Sequence, residues 1–183
     1  MIIGARRKLL NQVAAAPKQS GKFIKGGLVQ LSIEALAPAL VIRNGCCDDV
    51  QHMLPLMRQL RYPMTASVLK ERLAMLEGQL LLGNLVAELD GVVVGTAFLK
   101  QHQTHDMSKP VTRITALVVD EKHRGTGIGR RLIEEAEKWA RERGSTDLVL
   151  STARENHLSA KMFYEHCGFG CTGYRMNKPL NQA

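Results

Sequence analysis

Apolar residues begin to recur with a regular period at Ala39. Ala39–Arg43 reads as a short strand. Val50, Met53, Leu54, Met57 and Leu60 then share one face at helical spacing, with Asp48 or Asp49 placed to cap the helix. Pro55 interrupts that pattern and Tyr62-Pro63 ends it. Thr65 is placed to cap a second helix running to about Leu76, with Val68, Leu69, Leu73 and Leu76 inward. Leu80–Leu89 and Val92–Lys100 are two strands joined at Asp90-Gly91, a strong hairpin signal. A polar loop, Gln101–Pro110, leads into a strand at Thr112–Val119. Gly127–Arg143 is a long amphipathic helix with Ile128, Leu132, Ile133, Ala136, Trp139 and Ala140 on one face, stopped at Gly144. Asp147–Ser151 is a strand, His157–Cys167 a helix and Thr172–Lys178 a last strand.

Topology follows from this order. The hairpin strands pair antiparallel, whereas the strand–helix–strand unit at 112–151 needs a parallel crossover. The pattern predicts an α/β fold in one domain, residues 38–183, with a mixed, mostly antiparallel sheet and helices on both faces.

Composition changes the picture mainly at the N-terminus. Of the net charge of +8, residues 1–25 supply +6, from Arg6, Arg7, Lys8, Lys18, Lys22 and Lys25 with no acid. Residues 1–37 therefore read as a basic arm, flexible or loosely packed, although an acid-free, arginine-bearing start also resembles a transit peptide. The rest of the chain is nearly balanced, which argues against nucleic acid as a partner, since such binders carry a basic stripe on the fold itself. No apolar run approaches the roughly 20 residues that span a bilayer, so no membrane partner is expected. Cys46, Cys47, Cys167 and Cys171 do not form a paired zinc-ligand pattern, and no metal is expected. Reduced thiols and the lack of an apolar leader segment point to a cytoplasmic setting.

The chemistry concentrates at His123-Arg124-Gly125-Thr126-Gly127-Ile128-Gly129-Arg130, between a strand and a helix. Glycines at alternate positions let the backbone approach a ligand. The first N–H groups of the next helix have no intrahelical partner, and the helix dipole with Arg124 and Arg130 adds positive charge. This is an anion site that suits a pyrophosphate. A nucleotide P-loop would end Gly-Lys-Ser/Thr, but this turn ends Gly129-Arg130-Arg131. A dinucleotide fingerprint would need its third glycine where Arg130 stands. By itself the segment leaves an ordinary glycine-rich turn open as the lesser alternative.

Arg124-Gly125-Thr126-Gly127-Ile128-Gly129 resembles the Arg/Gln-x-x-Gly-x-Gly/Ala loop of the GNAT superfamily of N-acetyltransferases. Asn156, Ala160, Phe163-Tyr164-Glu165 and Gly168-Phe169 match that family's downstream signature. The resemblance runs from about Ala39 to Leu180. It implies a GNAT fold in which the strand ending at Val119 splays from its parallel neighbour. The freed main chain of Leu117, Val118 and Val119 would then pair with the pantetheine arm of acetyl-CoA. It further implies that Arg124, Gly125, Thr126, Gly127, Ile128, Gly129 and Arg130 wrap the pyrophosphate. Asn156 and Ala160 would flank the pantetheine. Tyr164 would be the general acid for the departing thiolate; its reference pKa of about 10 keeps it protonated at neutral pH. The reaction implied is direct transfer of an acetyl group from acetyl-CoA, the cosubstrate, to a primary amine. Resemblance to small-amine acetyltransferases, including the aminoalkylphosphonate type, favours a small acceptor. A homodimer is admitted by analogy.

One departure stands out. Many relatives carry Glu where this chain has Thr115 and Ala116, and neither of these can take a proton. A water relay or a residue elsewhere would replace it, with His102 and His105 as candidates and as weaker substrate contacts beside Tyr62. The missing acid also motivates a second reading, a non-catalytic acyl-CoA-binding sensor. A protein N-acetyltransferase stands beside it as an alternative, and a nucleic-acid-associated protein that uses the basic arm is the third class.

Overall fold

The computed structural model describes residues 39–152, 157–173 and 175–180. Five strands form one sheet in the order β1 (Leu40–Asn44), β2 (Leu82–Leu89), β3 (Val92–His102), β4 (Val111–Val119) and β5 (Leu148–Leu150). The first three pairings are antiparallel and β4–β5 is parallel. Helices α1 (Val50–Gln59) and α2 (Ala66–Leu76) precede β2, α3 (Ile128–Glu142) makes the crossover to β5, and α4 (His157–His166) follows. Met53, Leu56, Met57, Leu69 and Leu73 of α1 and α2 pack with Val86 and Val118 on one face of the sheet. Leu132, Ile133, Ala136 and Trp139 of α3 pack with Leu85, Ala97 and Ile114 on the other, joined by Phe163 and Tyr164 of α4.

Local signals account for most of the boundaries. Thr65 Oγ1 accepts from the Val68 N–H at 3.3 Å and starts α2. Asp90 and Gly91 both hold positive φ, 50° and 81°, as a two-residue hairpin matched to strand twist requires. At the end of α3 the Ser145 N–H donates to the Ala140 carbonyl and the Gly144 N–H to that of Arg141, the two bonds of a Schellman stop.

Three expectations change. Asp49 precedes α1, but its carboxylate turns away from the helix. It accepts from the Cys46 N–H at 2.9 Å and from both terminal nitrogens of Arg43, at 2.7 and 2.9 Å. A charge-assisted fork outcompetes a helix cap. The polar loop is shorter than read, because β3 continues to His102 and β4 begins at Val111. Residues 172–178, read as a last strand, carry no regular structure among those described, and Met176 is 92% exposed. Alternation fits a residue to a pleat but does not supply a neighbouring strand. The arm at 1–37 lies outside the described residues.

The Arg43 fork also binds Glu88 at 2.6 Å and ties β1 to β2 and to the start of α1. It holds the nearly buried Asp49 carboxyl below its ordinary value of 3.8. A depressed carboxyl stabilises the fold above the unfolded pKa, and that contribution fades as pH falls through the folded one. Stability should therefore drop as pH is lowered below about 4. Asp49→Asn should lose roughly 1–3 kcal/mol at pH 7 and flatten the acid limb, measured by urea denaturation across pH. An unchanged acid limb in the variant would assign the loss to other carboxylates.

Asn84 is buried between β2 and β3. Its Nδ2 donates to Thr96 Oγ1 at 2.8 Å, and its Oδ1 meets no hydrogen-bond partner among the described residues. A β-carbon on Gly45 would stand 1.9 Å from that oxygen. Gly45→Ala should cost about 1–3 kcal/mol by overpacking, a fall in Tm of a few degrees. Adding Asn84→Ala should restore part of that loss, and strict additivity in the double mutant would refute the clash.

Candidate active site

The site is built where β4 leaves its neighbour. The β4–β5 register runs Thr112–Leu148, Arg113–Val149, Ile114–Leu150 and stops. From Thr115 to Val119 the outer edge of β4 faces no strand among the described residues. On its other edge β4 stays paired with β3, Ala116–Phe98 through Val119–Gly95. Leu99 pairs with Ile114 and Phe98 with Ala116, so Thr115 is one extra residue, a β-bulge at the point of divergence. The Asp120 N–H donates to Val94 on β3. Main-chain groups alternate along a strand, so those of Leu117 and Val119 point to the open edge. Both side chains lie in the α3 cluster, and that of Val118 packs under α1. Thr115 Oγ1 is engaged with the Phe98 carbonyl at 3.2 Å and Ala116 is inert.

The glycine turn follows at the end of this edge. Gly125 and Gly127 hold φ of 79° and 88°, and a β-carbon at either would meet open space. Gly127 is the N-cap of α3 and provides no capping side chain. The Thr126 hydroxyl is spent locally on the His123 carbonyl at 2.7 Å. Since the Arg131 N–H is the first to reach back, to Gly127 O, the N–H groups of Ile128, Gly129 and Arg130 are the unpaired first turn. Ile128 anchors this turn in the core.

Two residues of the turn have roles that their spacing does not show. A β-carbon on Gly129 would lie 3.0 Å from Phe163, so this glycine lets α4 approach α3. The Arg124 guanidinium is turned inward, donating to the Val119 carbonyl and to Gln59 Oε1, each at 3.1 Å. Gln59, at the end of α1, also accepts from the Glu121 N–H at 3.1 Å and donates through Nε2 to Asp120 Oδ2 at 3.4 Å. Gln59 and Asp120 were not legible as site residues, because their partners lie about 60 residues away in sequence. Arg130 stays exposed, with a loose pair to Glu134 at 3.5 Å. Such a pair is weak and leaves the cation available.

On α4, Ala160 and Tyr164 are half-buried. The Gly168 and Phe169 N–H groups donate to the carbonyls of Glu165 and Tyr164, with Gly168 at φ 87°. This is a second Schellman stop, and its usual hydrophobic contact is the Tyr164–Phe169 ring pair, centroids 5.7 Å apart. The Tyr-Glu-x-x-Gly-Phe spacing is thus a helix terminator that grips the tyrosine ring. Phe163 packs on its other side at 5.1 Å. Burial raises the Tyr164 hydroxyl above its ordinary value, with a smaller contribution from Cys167.

Of the remaining candidates, His102 ends β3 half-buried, His105 is exposed in the following turn, and Tyr62 is 59% exposed between α1 and α2. Asn156 lies outside the described residues. Among those described, no group of three or more His, Cys, Asp or Glu side chains could hold a metal, and no helix is long and apolar enough to cross a membrane.

Among the described residues the mixed sheet opens at its parallel pair, and a cap-free helix start stands at the mouth. The model of the Acetyltransferase (GNAT) family matches residues 52–169, more than half of the chain, and the chain belongs to that family. It is 35% identical over 88 residues to a mouse protein named probable N-acetyltransferase family 8 member 5, covering 48% of this chain and 38% of that one. It is 34% identical over 88 residues to mycothiol acetyltransferase of Thermobispora bispora, covering 48% of this chain and 30% of that one. The match thus spans well under half the length of these relatives. Among solved structures, an aminoglycoside N-acetyltransferase in complex with CoA superposes with a TM-score of 0.69 at 22% identity, covering 78% of this chain and 95% of that one. Glucosamine-6-phosphate N-acetyltransferase from Arabidopsis thaliana gives 0.67 at 21%, covering 78% and 99%. At these identities the superpositions show the shared fold.

Proposed function

We propose that this chain is an acetyl-CoA-dependent N-acetyltransferase acting on a small primary amine. The observation that carries the reading is the continuity of the open β4 edge with the uncapped first turn of α3. A pantetheine amide can pair with Leu117 and Val119, and a pyrophosphate can sit on the N–H groups of Ile128, Gly129 and Arg130. Gly125 and Gly127 leave the needed room, and Arg124 with Gln59 keeps the turn in place. Bound there, acetyl-CoA supplies an activated acetyl group as a thioester.

The chain's residues then do three things. Main-chain N–H groups on the β4 edge are suited to hold the thioester oxygen as charge develops on it, and losing one such donor typically costs about 2.7–4 kcal/mol of barrier. Tyr164, kept neutral by burial, gives its proton to the sulfur as the carbon–sulfur bond breaks and the carbon–nitrogen bond forms. The proton lost by the amine goes to water, because Thr115 is committed to Phe98 and Ala116 carries no base. An acceptor that is already neutral at working pH needs no more than this.

The test is titration calorimetry with acetyl-CoA together with release of free CoA over a panel of amines. Binding with release of CoA is expected. No binding at millimolar acetyl-CoA would overturn the reading. Binding without release from any amine would favour the second reading, an acyl-CoA sensor, whose support is the missing acid at Thr115/Ala116.

A further inference from the structure

Among the described residues, the apolar cluster under α1 and α2 reaches along the sheet as far as Phe98, which packs against it. The next row across the strands is Leu82, Lys100, Arg113 and Val149, in register. Two cations therefore stand directly opposite each other in the middle of an apolar row. Directly opposed side chains have β-carbons about 4.5–5.5 Å apart, and like charges there are destabilising. Lys100 is exposed and Arg113 half-buried, and neither forms an ion pair among the described residues. Asp147 stands diagonally on β5's approach and accepts from the Thr146 hydroxyl at 2.7 Å. Arg113 Nη2 donates to Ser151 Oγ at 2.6 Å, which pins the guanidinium beside the mouth of the splay. His102 lies two residues beyond Lys100 on the same face.

We infer that Lys100 and Arg113 hold an anionic group of the acceptor, so that the amine acetylated carries a phosphate, phosphonate or carboxylate a short linker away. The inference rests on the acetyltransferase reading above and narrows its substrate class. An anion between the two cations relieves their repulsion. The remaining N–H groups of a guanidinium already oriented by Ser151 suit a planar or tetrahedral oxyanion. Arg113 precedes the bulge at Thr115 by two residues, about 7 Å of strand. An anion held at Arg113 thus leaves an amine two to four atoms away within reach of the open β4 edge.

The experiment compares acceptors of equal length with and without the anion: propylamine, β-alanine and 2-aminoethylphosphonate, followed by release of CoA. At least one anionic acceptor should exceed propylamine by about tenfold or more in kcat/KM. Arg113→Gln and Lys100→Gln should each lower that advantage about tenfold through KM, leaving the KM for acetyl-CoA and the rate with propylamine unchanged. Free 2-aminoethylphosphonate should raise the Tm of the wild type and not of Arg113→Gln, a readout independent of turnover. Which anionic probe wins separates phosphonate from carboxylate. Equal rates with propylamine, or variants that slow all acceptors alike, would overturn the inference while leaving the acetyltransferase reading intact. CoA release from no amine at all would remove both.

Discussion

Gly127→Val should weaken acetyl-CoA binding by about 10- to 100-fold. The estimate follows from loss of one charge-assisted hydrogen bond, about 1.5–3 kcal/mol. Gly127 holds φ 88° and nothing lies within 4 Å of where its β-carbon would be. The isopropyl group would therefore enter the space before the first turn of α3, where the pyrophosphate is proposed to sit. A β-branched residue in the left-handed region also carries strain of roughly 1–3 kcal/mol, so some loss of Tm accompanies the loss of affinity. Gly144→Ala separates the two effects. Gly144 has a similar φ, 73°, at the other end of the same helix. Its replacement should lower Tm and leave affinity unchanged. Calorimetry on both variants decides the matter: wild-type affinity in Gly127→Val would move the pyrophosphate elsewhere.

Tyr164→Phe should lower kcat by about 100-fold or more, the usual contribution of a positioned general acid, with little change in acetyl-CoA affinity. The phenyl ring keeps the contacts with Phe163 and Phe169, so the fold is preserved. The pH profile gives a second check. Burial raises the Tyr164 hydroxyl, and the acid form therefore persists to higher pH than an exposed tyrosine allows. In the wild type the fall of kcat on the alkaline side should lie above about 10, the ordinary value. In Tyr164→Phe that limb should vanish. Equal turnover in the variant would place the acid on another group.

What could be read from the chain alone divides by the reach of the interaction. Asp90-Gly91, Thr65 and Gly144 act on neighbours within a few residues, and each turned or capped the chain as its chemistry demands. The long helix was legible because six apolar residues repeat along one face. Arg124 was legible as part of the turn but not in its direction, since its partners are Val119 and Gln59. Asp49 reads as a cap until the turn after β1 sets Arg43, six residues back, beside its carboxylate. Residues 172–178 have the alternation of a strand, yet a strand is defined by a neighbour that no local pattern supplies. Tyr164 shows the opposite case. Periodicity marks it as an ordinary helix residue, and only the family motif singled it out. The structure then gave that motif a physical meaning as a stop that fixes the ring.

The bulge at Thr115 has a consequence for parity. Side chains on a strand alternate faces, so Arg113 and Ala116 would normally point in opposite directions. One surplus residue reverses the count, and odd positions up to 113 share a face with even positions from 116 onward. The proposed anion-holding arginine therefore shares the α1 and α2 face with Ala116 and Val118, while Leu117 and Val119 turn their side chains to the α3 face. Deleting Thr115 alone would restore regular alternation and leave Leu117 and Val118 in their own layers, so the surplus residue is spent on bending the strand where it leaves β5.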